Sequence, residues 1–169
     1  MVIVMPFGHP VASHLSGAQT PAGAKPSAFA DDLLDQIIPL AERKFRVSTK
    51  PDDRALAGLS MGGGQTVNIG FNHLNLFLGI GVFSAGIGAN VDPVKQYPDL
   101  FADPAVTNKK MKVIWICVGD KDFALGGSQA LDKVLTDHNI KHSFSTTPGV
   151  HEWKVWRYSL NEFASLLFR

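Results

Sequence analysis

The chain has 169 residues, 45% hydrophobic and 18% charged, an ordinary composition for a folded domain with a core of its own. Sixteen Lys plus Arg against fifteen Asp plus Glu leave a formal net charge of +1, with no basic stripe for nucleic acid and no polybasic segment for a membrane surface. The apolar runs are only strand-sized, so no membrane-spanning helix is expected, and the single Cys117 excludes an internal disulfide and a cysteine-based metal site while leaving the compartment open.

The first apolar run, residues 2–5, carries no charged leader and no cleavage pattern, so it reads as a buried strand and not as a signal peptide. A chain opening inside a strand is expected to be an N-terminally truncated piece. Phe29, Leu33, Leu34, Ile37, Ile38 and Ala41 then recur at helical spacing. Ser27 is placed as N-cap, Asp31 and Asp32 fall in the first turn, and Arg43 and Lys44 fall in the last, as the helix dipole favours. Pro39 is expected to kink or break this helix, since it lacks an N–H and crowds the preceding turn.

Residues 55–59 form a second strand, and a helix is expected to start at Ser60 or Met61. Residues 78–83 form a third strand. Residues 86–111, rich in Gly, Pro and Asp, read as a long insertion with short helical turns. A fourth strand, 112–118, encloses Cys117 as a packed free thiol. Helix 128–138 places Ala130, Leu131, Val134 and Leu135 on one face. Residues 142–146 alternate more than the other strands and suit a sheet edge. The last helix lines Trp153, Trp156, Leu160, Phe163, Ala164 and Leu167 along one side. The first four strands are almost continuously apolar, as parallel strands covered on both faces are. Strands alternating with helices predict a parallel α/β sheet with right-handed crossovers, in one domain.

Gly58-Leu59-Ser60-Met61-Gly62 falls between a strand and a helix, the context that gives the G-x-S-x-G pattern its meaning. A serine on so sharp a turn has a strained backbone and an exposed hydroxyl. Its flanking glycines are expected because a side chain would collide with strand and helix, and Gly63 and Gly64 to allow close helix–sheet packing. The Met61 N–H, at the helix start, points where an oxyanion would develop. A serine needs a base. His151 suits, following the turn Thr147-Pro148-Gly149-Val150 just before the last helix. His9 and His14 lie in a loop near the same edge, and His73, His138 and His142 read as helix-end or strand-start residues. No histidine pair has metal spacing with a third ligand, so no metal is expected. A carboxylate must fix the tautomer of the base, and Gly119-Asp120-Lys121-Asp122 supplies two. Asp122, deeper in the loop, is favoured for turning back towards His151, and Asp120 for local turn hydrogen bonds.

With these residues assembled, the chain resembles the esterase D-like α/β-hydrolases, most closely the feruloyl and acetyl xylan esterases of carbohydrate esterase family one. The resemblance rests on Ile3-Val4-Met5-Pro6, Ile38-Pro39-Leu40-Ala41-Glu42, Arg54 through Gly63, Val82-Phe83-Ser84-Ala85-Gly86, Gly119 through Asp122, and Gly149-Val150-His151-Glu152-Trp153 with Val155-Trp156-Arg157 behind. It implies an α/β-hydrolase core, a mostly parallel sheet with helices on both faces that lacks the first strands of the usual eight, in one partial domain over residues 1–169. It implies a Ser60, Asp122 and His151 triad with Met61 as one oxyanion donor, and no cofactor. The family's His-Gly loop, which brings the second oxyanion N–H, is missing from the sequence, and Glu152 stands where the family has threonine.

The expected function is hydrolysis of a small-molecule or polysaccharide-linked ester through an acyl-enzyme on Ser60. Feruloyl or acetyl groups are the substrates implied by the resemblance. An S-formylglutathione hydrolase or an acyltransferase would use the same triad. The rival from another class is an inactive fragment that binds carbohydrate or a partner chain, and an exposed sheet edge predicts a homo-oligomer. Trp153 and Trp156 are expected to pack in the core rather than line an aromatic pocket.

Overall fold

The computed structural model describes residues 1–8, 28–88 and 91–168, which fall into two compact units, Met1–Thr49 and Lys50–Arg169. Ser27, His9 and His14 lie outside the described residues.

In the first unit, residues 2–5 form no strand and are exposed. A strand takes its hydrogen bonds from a neighbouring strand, and the described residues of this unit contain none. The helical pattern is realised as α1 (Ala28–Asp32), a π-helical turn (Leu33–Ile37) and α2 (Ile38–Lys44). Pro39 neither breaks the helix nor sits inside a regular one. The Ile38 N–H reaches back to the Leu33 carbonyl across a widened turn, and Pro39 falls at the start of the new α segment, where a missing N–H costs least. Of the expected apolar face only Leu33 is buried.

The second unit is a four-stranded parallel sheet in the order β1 (Ala55–Leu59), β2 (Gly79–Phe83), β3 (Val113–Gly119), β4 (Ser143–Thr147). Each expected strand from residue 55 onward is present within a residue of its expected ends, and β4 is an edge. Register runs Leu56↔Ile80↔Ile114 and Phe83↔Cys117↔Ser145. Between strands come α3 (Met61–Asn72), then α4 (Pro93–Gln96), α5 (Pro98–Phe101) and α6 (Pro104–Lys110) in the insertion, then α7 (Leu125–Asp137) and α8 (Trp153–Leu166).

Helices cover both faces, as alternate residues of β2 reveal. A Cβ on Gly70 of α3 would meet the Ile80 side chain, whereas a Cβ on Gly81 would meet the Phe163 ring of α8. Neighbouring strand residues point to opposite faces, so α3 and α8 lie on opposite sides. On the α8 side Phe83, Val155, Trp156 and Phe163 form a buried cluster with Val113 and Trp115 against it, and Phe83 meets Phe163 edge-on at 5.9 Å. The buried stripe of α8 differs from the expected one. It runs Val155, Trp156, Ser159, Phe163, leaving Trp153 and Leu160 exposed. Ser159 can be buried because its hydroxyl donates to the Val155 carbonyl at 2.9 Å. Cys117 is a buried free thiol.

Candidate active site

Each strand delivers one side chain just past its carboxyl end: Ser60 after β1, Ser84 after β2, Asp122 after β3 and His151 after β4. The carboxyl edge of a parallel sheet is where such folds assemble ligand sites. Ser60 sits at φ 52° and ψ −118°, a region L-residues rarely adopt. Its N–H is held by the Phe83 carbonyl at 2.9 Å and its carbonyl accepts from Gly64 at 3.0 Å. The turn is tight enough that a Cβ on Gly58 would strike the Gly62 carbonyl. Gly63 is also closely packed, its Cβ position 2.6 Å from the Ala85 side chain, but Gly62 and Gly64 face open space among the described residues. The collision expected at Gly62 and the packing expected at Gly64 are therefore corrected: these two lie on the outer side of the first helical turn.

His151 Nε2 lies 2.8 Å from Ser60 Oγ. His151 Nδ1 lies 2.9 and 3.0 Å from the two oxygens of Asp122, whose side chain is wholly buried. A carboxylate only accepts, so Nδ1 carries the proton and Nε2 is left to accept from the serine hydroxyl. Burial alone would push the Asp122 carboxyl up, but the Ala124 N–H at 2.8 Å, the Ser84 hydroxyl and His151 outweigh it and hold the group below the ordinary carboxylate range. Asp122 is thus charged wherever the imidazole needs it. Asp120 is not confined to a local turn. Its Oδ1 accepts from Gly149 N–H at 2.9 Å, tying the β3 loop to the His151 loop, where Gly149 adopts φ +148°.

His151 is walled by aromatic rings. Phe123 lies 4.2 Å away in a tilted stack and Trp156 4.9 Å away, edge-on. Phe123 is 82% exposed, Trp153 64%, while Trp156 is 9%. Of the tryptophan pair expected in the core, only Trp156 lies there, and Trp153 stands at the surface against it at 5.2 Å. The Met61 N–H, first in α3, has no intrahelical acceptor. His73 and His138 cap α3 and α7, and His142, just before β4, bonds Asp132 at 2.9 Å. Sequence reasoning gave Ser84 and Phe123 no role. The available signal was a serine between a buried strand and Ala-Gly, and an aromatic directly after the carboxylate.

A cavity of about 320 Å³ lies at the amino ends of the strands, lined by Asp52, Arg54, Gly79, Lys112 and Phe168. It is at the opposite end of the sheet from Ser60.

The family model described as "Putative esterase" matches residues 1–166. The chain belongs to the Esterase family. A curated endo-1,4-beta-xylanase/feruloyl esterase of Xylanibacter ruminicola is 28% identical over 141 residues, covering 83% of this chain and 18% of the relative. Among solved structures, a ferulic acid esterase of Anaeromyces mucronatus in complex with ferulic acid superposes with a TM-score of 0.73 at 21% identity, over 89% of this chain and 60% of that one. The apoenzyme of an S-formylglutathione hydrolase of Staphylococcus aureus gives 0.63 at 24% identity, over 83% of this chain and 62% of that one. These likenesses show the α/β fold, a parallel sheet with helices, and the chain spans less than two thirds of the length of each relative.

Proposed function

We propose that this protein is a serine carboxylic-ester hydrolase. The observation that carries the reading is the unbroken row Ser60–His151–Asp122, each link at 2.8–3.0 Å, set on a strained strand-to-helix turn. As Ser60 Oγ attacks the ester carbonyl carbon, its proton passes to His151 Nε2 and Asp122 stabilises the imidazolium. The Met61 N–H donates to the oxyanion of the tetrahedral intermediate. Nε2 then returns the proton to the departing alkoxide, leaving an acyl-Ser60 ester. A water molecule, deprotonated by the same nitrogen, releases the acid.

Feruloyl or acetyl esters of plant polysaccharide are the favoured substrates. Support comes from the feruloyl esterase named among the relatives and from the exposed ring of Phe123 beside His151, which suits an aromatic acyl group. The ladder of β1, one-sided among the described residues, supports self-association through that edge, to be read by light scattering across a concentration series.

A fluorophosphonate probe with mass mapping tests the nucleophile: label on Ser60 is expected, and label elsewhere or none refutes it. Methyl ferulate, acetylated xylan and S-formylglutathione assayed side by side test the substrate. Turnover confined to the thioester would transfer the protein to the S-formylglutathione hydrolase reading.

A further inference from the structure

The turn that holds Asp122 also aims its neighbour. Asp122 Oδ1 accepts from the Ala124 N–H at 2.8 Å, and the Asp122 carbonyl accepts from the Leu125 N–H at 3.1 Å. Phe123 is enclosed by these bonds, and its ring lies 4.2 Å from the His151 imidazole at a tilt of 35°. So small a tilt at so short a separation sets ring faces, not edges, against each other. Trp156 meets the same imidazole edge-on, at 87° and 4.9 Å. Phe123 is 82% exposed, so its placement adds little to the core. The His151 side chain is only 20% exposed, yet it becomes positive each time Ser60 gives up its proton. A charge formed away from bulk water must be compensated by its neighbours. Asp122 does this at Nδ1 from 2.9 Å. The negative face of an aromatic ring does it as well, for a cation within about 6 Å of the ring centre.

We infer that Phe123 is a positioning residue that acts through His151: its ring face holds and stabilises the imidazolium formed while Ser60 reacts. The inference deepens the serine-hydrolase reading above and rests on it, and it is separate from any contact of the ring with an acyl group. Because the attraction grows as charge develops, it lowers the barrier and leaves ground-state binding unchanged. For an exposed ring the expected gain is about twofold to fivefold in rate.

The test grades the electron density of the ring while nearly keeping its shape. Phe123 of the whole chain is replaced by mono-, di- and trifluorinated phenylalanine, and by cyclohexylalanine as a non-aromatic control. The probe is an alkyl fluorophosphonate, which has no ring to stack. The Ser60 Oγ–P bond forms, fluoride leaves as the P–F bond breaks, and the hydroxyl proton passes to His151 Nε2. The limiting rate kinact is separated from the binding constant KI, and melting temperature is measured beside them. Fluorine weakens the negative ring face, so kinact falls stepwise along the series, by about fivefold in all. Cyclohexylalanine loses as much as the most fluorinated ring, KI stays within about twofold, and melting temperature does not follow the series. A flat series, a cyclohexylalanine variant with wild-type kinact, losses confined to KI, or losses that track melting temperature would each overturn the inference. Ser60→Ala guards the underlying reading. If it is labelled as fast as wild type, the triad and the role of Phe123 fall together, whereas a silent Ser60→Ala beside a flat fluorine series removes the role of Phe123 alone.

Discussion

Replacing Asp122 by Asn keeps shape and volume but turns one acceptor oxygen into a donor amide. In the native site Oδ1 accepts from the Ala124 N–H at 2.8 Å and from His151 Nδ1 at 2.9 Å, while Oδ2 lies 3.0 Å from the same Nδ1. An asparagine keeping its oxygen towards Ala124 presents its NH2 to Nδ1. The imidazole is then driven to the tautomer with Nδ1 bare and Nε2 protonated, facing Ser60 with a proton where it must accept one. The flipped amide loses the Ala124 bond instead, in a wholly buried place. The expected loss in kcat is about 10⁴-fold, the scale measured for the equivalent change in a serine protease triad, or roughly 5.5 kcal/mol of barrier. Asp120→Asn, whose carbonyl can still accept from Gly149, should lose less than about tenfold. The assay is steady-state hydrolysis of p-nitrophenyl acetate after active-site titration of each variant. Asp122→Asn within tenfold of wild type, or losing no more than Asp120→Asn, would refute the assignment.

Ser60→Ala and His151→Ala should each nearly abolish turnover and their double variant should lose little more, since such groups act as a unit; additive losses in the same assay would argue against it. Ser60→Gly should melt a few degrees above Ser60→Ala, because glycine relieves the φ 52° turn by about 1–2 kcal/mol, and equal melting temperatures would show no strain is stored there. Gly58→Ala should destabilise by on the order of 3 kcal/mol and silence Ser60, since its Cβ meets the Gly62 backbone, as denaturant midpoints and probe labelling would report. Asp122 has a lowered folded pKa, so its stabilising contribution is full above the unfolded value of about 3.9 and is lost as pH falls through the folded one; the stability gap between wild type and Asp122→Asn should close below about pH 4, and a gap constant to lower pH contradicts this. Phe123→Ala should change stability by less than about 0.5 kcal/mol, being exposed, yet slow hydrolysis of aromatic acyl esters more than that of acetyl esters.

The strands β2 and β3 were legible because a parallel strand covered on both faces must be apolar at nearly every position, whereas β1 carries the same apolar run although it is only half-buried and Ala57 is exposed. Residues 2–5 show the limit of that logic. They carry the same pattern without forming a strand, since an apolar run does not say whether a neighbour exists to pair with it. That Ser60, His151 and Asp122 would meet at one edge of the sheet was legible from their places after strands. The stripe of α8 was misread because bulk was taken for burial: Trp153 and Leu160 face out, while small Ser159 faces in with its hydroxyl satisfied by its own helix. Ser84 could not be found from spacing, because its meaning lies in a bond to Trp156, 72 residues away. Pro39 was expected to interrupt its helix, and a π turn absorbed it, a choice that depends on carbonyl geometry and not on residue type.

Four site groups hung from four different strands also constrain when the site can exist during folding. The Ser60–His151 bond spans 91 residues of chain, and each of its supports requires a separate parallel crossover to have closed, a topology that pays loop entropy before any contact returns it. Reactivity towards an ester should therefore be among the last properties to return on refolding, behind helix content and collapse. It should also be among the first lost on heating, since fraying of the edge strand β4 alone displaces His151 while β1 to β3 still stand.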